Sequence, residues 1–139
     1  MNESLFQKHV DTFVMWLAER SPTLATDMGI HSWDHLLSDC SSAALAAEAK
    51  GLEKFLQEFS ACETVNYSTF TQVDHTVVTQ LIKSMLREHR EIAHFRRNPG
   101  FYLNEILNGI FTLILKDFAP WEERQEKLIS RISAAPEVL

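Results

Sequence analysis

The stretch from Phe101 to Leu115 constrains the fold most, because it is apolar almost throughout. Its only interruptions are Asn104, Glu105, Asn108, Gly109 and Thr112. The helix-breaking segment Asn98-Pro99-Gly100 precedes it. A second segment of this kind, Lys116-Asp117-Phe118-Ala119-Pro120, follows it. A helix that is apolar nearly all round must be covered by other segments on several sides. The sequence therefore predicts a central helix over 101–115, with the other segments packed around it.

Four further segments show the three- and four-residue apolar spacing of amphipathic helices. They run from Leu5 to Glu19, from Ser41 or Ser42 to Ser60, from Thr69 to about Arg97, and from Pro120 to Pro136. Pro22 favours the start of a short extra helix, and Gly29 favours its C-terminal cap. Strand signals are nearly absent. The chain is thus predicted to be one all-α domain over 1–139, a helical bundle of about five to six helices.

Local patterns also predict helix starts and inward faces. Thr69 followed by Gln72 has the pattern of a capping box, in which two side chains satisfy the first turn. The wide predicted inward face of that helix comprises Phe70, Val73, Val77, Leu81 and Met85, with Val78, Ile82, Leu86, Ile92 and Ala93 beside them. In the last helix, Trp121, Leu128 and Ile132 are predicted to point inward. Glu122 and Glu123 suit the positive end of its dipole.

Charge and cysteine content argue against several classes of protein. A net charge of -6 disfavours a nucleic-acid partner. Two cysteines, Cys40 and Cys62, are too few for a disulfide framework or a thiolate metal site, and are predicted to be reduced. The N-terminus lacks the pattern of a signal peptide. The apolar run Ile110–Leu115 is far shorter than the roughly 20 residues of a membrane span. We therefore predict a cytoplasmic protein.

Among six histidines, the best candidate metal cluster is His31, Asp34, His35 and Asp39. In a helix, His31 and His35 would share one face at a spacing that zinc sites use. The alternative is an ordered loop in which His31 caps a turn, and Asp34 and Asp39 accept backbone N–H bonds. The loop is favoured because neither histidine is followed by Glu and no third ligand is assigned. No metal or cofactor is predicted in this chain.

Three other groupings offer weaker chemistry. His89 and His94 lie five positions apart, about 140° around a helix, so they cannot chelate one ion from one face. Cys40 with His35 or His31 would be a thiol–imidazole pair, a coincidence to be expected among six histidines. Asp117 with Arg124, and Glu123 with Arg131, are candidate ion pairs, for which helix capping and weak surface pairing are the alternative.

Two stretches, together with Asp74, carry a family resemblance. The first is Pro22-x-x-Ala25-Thr26-x-x-Gly29-x-His31-x-x-Asp34-x-x-Leu37-x-Asp39-x-Ser41. The second comprises Asn98-Pro99-x-x-Tyr102, then Asp117-Phe118-Ala119-Pro120-x-x-Glu123-Arg124, then Arg131 and Pro136. In this order and spacing, the residues resemble the N-terminal part of the bacterial family called domain of unknown function 885. The resemblance covers nearly the whole chain.

The resemblance implies a longer helical architecture. Members of the family are several times longer and look like zinc metallopeptidases of the gluzincin kind. Their metal is expected on a later helix, with a His-Glu motif ending in Pro-Gly-His and a further Glu beyond it. Here the six histidines are followed by Val, Ser, Leu, Thr, Arg and Phe. The resemblance thus implies a chain truncated before the catalytic half, with zinc expected only in that absent half. The matched residues look like turn and cap positions.

Three functions follow from these observations. The first is a non-catalytic N-terminal module, a scaffold or interaction surface that would form one wall or lid of a substrate channel in a longer protein. The second is a free-standing protein–protein interaction or dimerisation module. The third is a small metal- or ligand-binding bundle. Because large apolar patches are usually covered by association, the expected partner is a second copy of the chain or the missing C-terminal half.

Overall fold

Seven α-helices make up most of residues 2–139, the part of the chain that the computed structural model describes. They are α1 (Glu3–Arg20), α2 (Pro22–Asp27), α3 (Ser42–Ser60), α4 (Thr69–Arg87), α5 (His94–Arg97), α6 (Gly100–Leu115) and α7 (Trp121–Val138). A 3₁₀ turn, Thr64–Asn66, precedes α4, and a π-helical turn, Glu88–Ile92, follows it. These residues contain no strand. The predicted all-α class is therefore confirmed.

The main apolar core lies between α1, α3 and α4. It is formed by Phe6, Phe13, Leu17, Leu52, Phe55, Phe59, Tyr67, Val78, Ile82 and Leu86. The aromatic rings meet edge to face, with centroids 5.8 Å apart for Phe6 and Phe59 and 5.2 Å apart for Phe13 and Phe55. Such pairs add to the stabilisation that comes from burial alone. This aromatic core is the centre of the bundle.

Helix α6 forms where it is predicted, but it lies beside this core and packs on α2 and α7. Its inner face is buried and comprises Ile106, Gly109, Thr112 and Leu113. Its outer face comprises Leu103, Leu107, Phe111 and Ile114, which are 46% to 59% exposed. The prediction of a helix covered on several sides is therefore corrected, because the packing on α2 and α7 leaves this outer face about half exposed.

Helix α7 buries a different side from the predicted one. Trp121 and Ile132 are about half exposed, whereas Arg124, Arg131 and Val138 are buried. Pro136 does not end the helix but lies in its last turn. The two arginines can be buried because distant backbone carbonyls accept their hydrogen bonds, as described below.

The predicted inward face of α4 is divided in two. Val78, Ile82 and Leu86 are buried in the core. The outer face of α4, comprising Phe70, Val73, Val77 and Leu81, is exposed. The helix begins one residue earlier than the predicted capping box implies, because the Ser68 hydroxyl accepts the Thr71 N–H at 3.3 Å. Ser41 caps α3 in the same way, as predicted.

The chain beyond α4 does not continue as one helix to Arg97. The π-helical turn ends at Ala93, which has a left-handed backbone with φ 48°. The Glu88 carboxylate stabilises the break by accepting the His94 N–H at 2.9 Å. Left-handed backbone costs a residue with a β-carbon about 1–2 kcal/mol. Such π-helical turns are frequent at functional sites.

Replacing Ala93 with glycine should therefore raise the free energy of unfolding by about 0.5–1 kcal/mol, because the loss of a small buried methyl group offsets part of the relieved strain. Urea unfolding followed by circular dichroism measures the change. Ala47, exposed within α3, is the control, since glycine there should lower stability by about 1 kcal/mol. Equal losses at both positions would contradict the left-handed conformation of Ala93.

No helix within residues 2–139 is both long enough and apolar enough to cross a membrane.

Candidate functional site

Residues from both stretches that carry the family resemblance meet at one buried arginine, Arg131. Arg131, from α7, has no exposed surface. Its Nε donates to the Leu36 carbonyl at 2.8 Å, and its Nη1 donates to the Gly109 carbonyl at 2.7 Å. Its Nη2 donates to the Thr26 hydroxyl at 2.7 Å and to the Pro22 carbonyl at 3.3 Å. One guanidinium thus joins α2, the loop after it, α6 and α7.

Asp34 supplies the negative charge beside this arginine. Its buried Oδ1 accepts the Thr26 hydroxyl at 2.6 Å, and its Oδ2 lies 2.9 Å from the His31 Nδ1. The Lys127 ammonium lies 3.9 Å from the same Oδ2. Burial lowers the pKa of the Arg131 guanidinium, and the Asp34 carboxylate opposes that effect. A buried carboxylate needs such partners. We call Thr26, His31, Asp34 and Arg131 the Arg131 network.

Two apolar contacts fix the position of the network. The His31 ring stacks on Phe118, in the loop between α6 and α7, with centroids 3.8 Å apart. A β-carbon at Gly109 would lie 2.6 Å from the Leu37 Cδ2 and 2.8 Å from the Thr23 Cγ2. Glycine at this position therefore lets α6 approach α2 closely and keeps its carbonyl within reach of Arg131.

Arg124 forms a second buried centre at the end of α6. Its Nε donates to the Ala119 carbonyl at 2.8 Å, and its Nη1 donates to the Leu113 carbonyl at 3.1 Å. Its Nη2 donates to the Asp117 carboxylate at 2.9 Å, which confirms the predicted pair. The other predicted pair is wrong, because Glu123 bonds Lys127 at 2.7 Å instead of Arg131. Arg124 thus satisfies carbonyls that the end of a helix leaves without partners.

The four candidate metal ligands do not converge. His31 and Asp34 face each other, but the His35 carbonyl accepts the Ser130 hydroxyl at 2.9 Å. The Asp39 carboxylate accepts the Ser41 N–H at 2.9 Å, which lowers the pKa of Asp39. Within residues 2–139, no three His, Cys, Asp or Glu side chains are placed to hold one metal ion. The geometry favours an ordered loop. In this loop, Asp34 bonds the side chains of Thr26 and His31, not the backbone N–H groups that were predicted to donate to it.

The remaining candidates also have separate partners. The His89 Nε2 lies 3.3 Å from the Glu48 carboxylate, and the His94 ring lies 3.0 Å from the Glu88 carboxylate. Burial raises the pKa of the Cys40 thiol to about 11, which disfavours its reactive thiolate form. The geometry therefore supports a structural role for these residues. The sequence did not predict the central position of Arg131. The only signal for it was that Arg131 is one of the residues that carry the family resemblance.

Comparison with known proteins identifies the fold and the family of the chain. A protein from Shewanella oneidensis, described as "a putative lipoprotein of unknown function", has the same fold, with a TM-score of 0.85 and 21% sequence identity. The match covers 96% of this chain and 24% of that chain, so this chain spans about a quarter of its length. No curated protein matches the chain. Residues 22–139 match the family described as "Bacterial protein of unknown function (DUF885)". The matched region starts at Pro22 and includes both buried arginines, Arg124 and Arg131. The chain therefore belongs to the DUF885 family.

Proposed function

We propose that this chain is a non-catalytic helical module that associates with a second copy of itself through the outer faces of α6 and α7. The observation that carries the proposal is the apolar character of these faces. Leu103, Leu107, Phe111 and Ile114 recur at spacings of four, four and three, so they form one stripe along α6. Monomeric proteins rarely expose large contiguous apolar patches.

The outer face of α7 extends this stripe. It comprises Trp121, Ile129, Ile132 and Leu139, all of them at least 45% exposed. Leu103 and Leu139 line the same shallow hollow, so the two outer faces meet where α6 begins and α7 ends. Eight half-exposed side chains of this size present on the order of 800 Å². That is about the area that each partner contributes to a stable interface.

The Arg131 network supports the non-catalytic part of the proposal. Arg131, Thr26 and Asp34 are almost completely buried and bond one another or backbone carbonyls. A substrate cannot reach groups in that position. The peptidase-like chemistry implied by the resemblance would belong to a part of a longer protein that this chain does not contain. The cytoplasmic location and the lack of a metal in this chain stay predictions.

Sedimentation velocity at chain concentrations from 1 to 200 μM tests the association. The wild-type chain should form a dimer, and the double variant Leu107→Glu/Phe111→Glu should be monomeric. Two buried charges at the centre of the interface should raise the dissociation constant by more than about 100-fold. Val65→Glu is the control, because Val65 is 88% exposed and lies in the 3₁₀ turn, outside both outer faces. Circular dichroism verifies that each variant is folded.

The possible results distinguish two partners that could cover these outer faces, a second copy of the chain and further helices of a longer family member. A wild-type monomer that binds a dye for exposed apolar surface would overturn the homodimer and favour further helices of a longer family member as the natural cover. A monomer that binds no dye would overturn the proposed interaction surface itself. A dimer that survives the double variant would place the interface elsewhere, with the outer face of α4 as the next region to change.

A further inference from the structure

A cavity of about 260 Å³ lies beside the aromatic core, and its lining comes from α1 to α6 and from the loop after α2. Most of this lining is apolar and comprises Leu17, Leu24, Leu45, Met85, Phe95 and Phe101. An apolar cavity of roughly 150 Å³ holds benzene in an engineered protein. This cavity therefore has room for a phenyl ring that carries a short carbon chain.

The polar part of the lining is mainly anionic. It includes four carboxylates, those of Asp39, Glu48, Glu88 and Glu105. Within residues 2–139, the one permanently charged cation that lines the cavity is Arg20. Four carboxylates and one guanidinium give the cavity a negative balance. In a partly buried site, such a balance attracts a cation more strongly than it would in open water.

Most of these charged groups already have partners in the protein. The Arg20 guanidinium donates to the Ala44 carbonyl at 3.1 Å. Three of the carboxylates are bonded to neighbouring residues, Glu48 to His89, Glu88 to His94 and Asp39 to Ser41. These groups therefore contribute charge to the cavity, but their bonds are largely satisfied.

Glu105 is the carboxylate with a free oxygen. Its Oε1 accepts both the Thr23 hydroxyl at 2.7 Å and the Ser38 N–H at 2.8 Å. Its Oε2 accepts no hydrogen bond from the residues between 2 and 139. The two bonds to Oε1 tie the side chain to α2 and to the loop after it. Glu105 is thus a fixed and only partly buried acceptor.

The Cys40 thiol, which lines the same cavity, is affected by this negative charge. Burial is the main cause of its raised pKa, and the charges of Glu105, Asp39 and Glu48 raise the pKa further. These charges act against a thiolate because like charges repel. A cation at the same place is favoured for the same reason.

The lining also indicates which kind of cation fits. No three His, Cys, Asp or Glu side chains in the described part of the chain, residues 2–139, are placed to hold one metal ion. A metal ion would also leave the apolar side of the cavity unused. An organic ammonium group attached to an apolar body matches both the carboxylates and the apolar side chains.

We propose that this cavity binds a small organic ammonium compound with an apolar body. The ammonium group donates a charge-assisted hydrogen bond to the Glu105 Oε2, close to the carboxylates of Asp39 and Glu48. The apolar body lies among the leucine and phenylalanine side chains of the lining. The ligand enters beside Leu24 and Asp39, which are exposed. The proposal is independent of self-association, because none of these residues belongs to the outer faces of α6 or α7.

Four soluble probes test the class of ligand. 3-Phenylpropylammonium has both features, 3-phenylpropan-1-ol lacks the charge, 3-phenylpropanoate reverses it, and methylammonium lacks the apolar body. Titrations of the full chain are followed through the amide ¹H–¹⁵N signal of Ser38, whose N–H donates to the Glu105 carboxylate. 3-Phenylpropylammonium should shift this signal with a saturable dissociation constant. The other three probes should bind at least about tenfold more weakly, because each lacks one of the two interactions.

Glu105→Gln assigns the binding to the cavity. The variant keeps an oxygen that accepts from Thr23 and Ser38 but removes the negative charge. It should therefore fold, as circular dichroism verifies, and bind 3-phenylpropylammonium at least about tenfold more weakly. Asp39→Asn, at an exposed position, should weaken binding by about threefold, because it removes a charge without removing a direct bond. This second variant keeps the test valid if Glu105→Gln does not fold.

Glu63→Gln is the matched control, because it removes one exposed carboxylate elsewhere. Glu63 and Asn2 line a hollow at the start of α1, whereas the cavity lies at the end of that helix, beside Leu17 and Arg20. At 1.5 Å per residue, the two ends of α1 are about 25 Å apart. The affinity for 3-phenylpropylammonium should therefore be unchanged in this variant.

The proposal is overturned if 3-phenylpropylammonium does not bind, or if folded Glu105→Gln binds it with unchanged affinity. Equal or tighter binding of the alcohol or the carboxylate would show that the charge of the cavity does not select the ligand. Equal binding of methylammonium would show that the apolar lining does not contribute. Either result would also overturn the proposed class of ligand.

Discussion

Replacing Arg131 with methionine should lower the free energy of unfolding by about 3–5 kcal/mol, the usual effect of removing one partner from a buried charged network. The change removes the side-chain donor to the carbonyls of Leu36 and Gly109, and it removes a cation that attracts the buried Asp34 carboxylate. Domains of this size are stable by only about 5–15 kcal/mol. Urea unfolding followed by circular dichroism should therefore show a large fall in the midpoint.

Arg87→Met is the matched control for this prediction. The Arg87 side chain is 68% exposed, and within residues 2–139 it pairs only with Glu91, at 3.2 Å. Its replacement should change stability by no more than about 0.5 kcal/mol. Equal effects at the two positions would contradict the burial of Arg131. The double variant Arg131→Met/Asp34→Asn should lose less than the sum of the single variants, because both changes disrupt one network.

Replacing Phe59 with alanine should also cost about 3–5 kcal/mol, the range typical of a large aromatic side chain in a close-packed core. Phe59 has no exposed surface. Its ring centroid lies 5.8 Å from that of Phe6, 6.2 Å from that of Phe13 and 5.1 Å from that of His9. All three residues belong to α1, so the variant weakens the packing of α3 on α1. The same urea experiment measures the loss.

Phe70→Ala provides the comparison at a second phenylalanine. Phe70 begins the outer face of α4 and is 85% exposed, so its loss should stay within about 0.5 kcal/mol. A large loss at Phe70 would show that this face is packed in solution. That result would place the proposed dimer interface on α4 rather than on α6 and α7.

Much of the fold follows from local patterns in the sequence. Apolar periodicity predicted α1, α3, α6 and α7 close to their observed limits. Ser41 caps α3, and Gly29, with φ 81°, follows α2 as its predicted cap. These features are local, because each is decided by residues within one or two helical turns.

The errors occur where distant groups decide the outcome. Periodicity placed Trp121 and Ile132 inward, but Arg124 and Arg131 are buried because backbone carbonyls of α6 and of the loop after α2 accept their bonds. The break at Ala93 has no glycine or proline to mark it, so the apolar pattern of α4 predicted one uninterrupted helix. Helix α6 was predicted to be central because its composition does not show how many neighbours would cover it.

The sequence predicted a structural role for the residues of the candidate site, but it did not predict their contacts. The motif positions from Thr26 to Asp39 were predicted to be turn and cap positions, and the geometry of His31 and Asp34 agrees with a structural role. Their partner Arg131 lies about a hundred positions further along the chain, and no local rule links them. A cavity beside the aromatic core was also unpredictable, because its lining comes from six helices and a loop.

The hydrogen bonds of Arg131 have a consequence for the order in which the chain becomes folded. Three of them join residues separated by 95 to 109 positions, and contacts over such distances form late because a long loop must first be closed. The chain between Pro22 and Leu36 therefore cannot complete its bonds during synthesis until residue 131 has been added. An arrested nascent chain that ends before this arginine should remain open to proteases near its beginning, at the loop after α2, while the aromatic core already resists them.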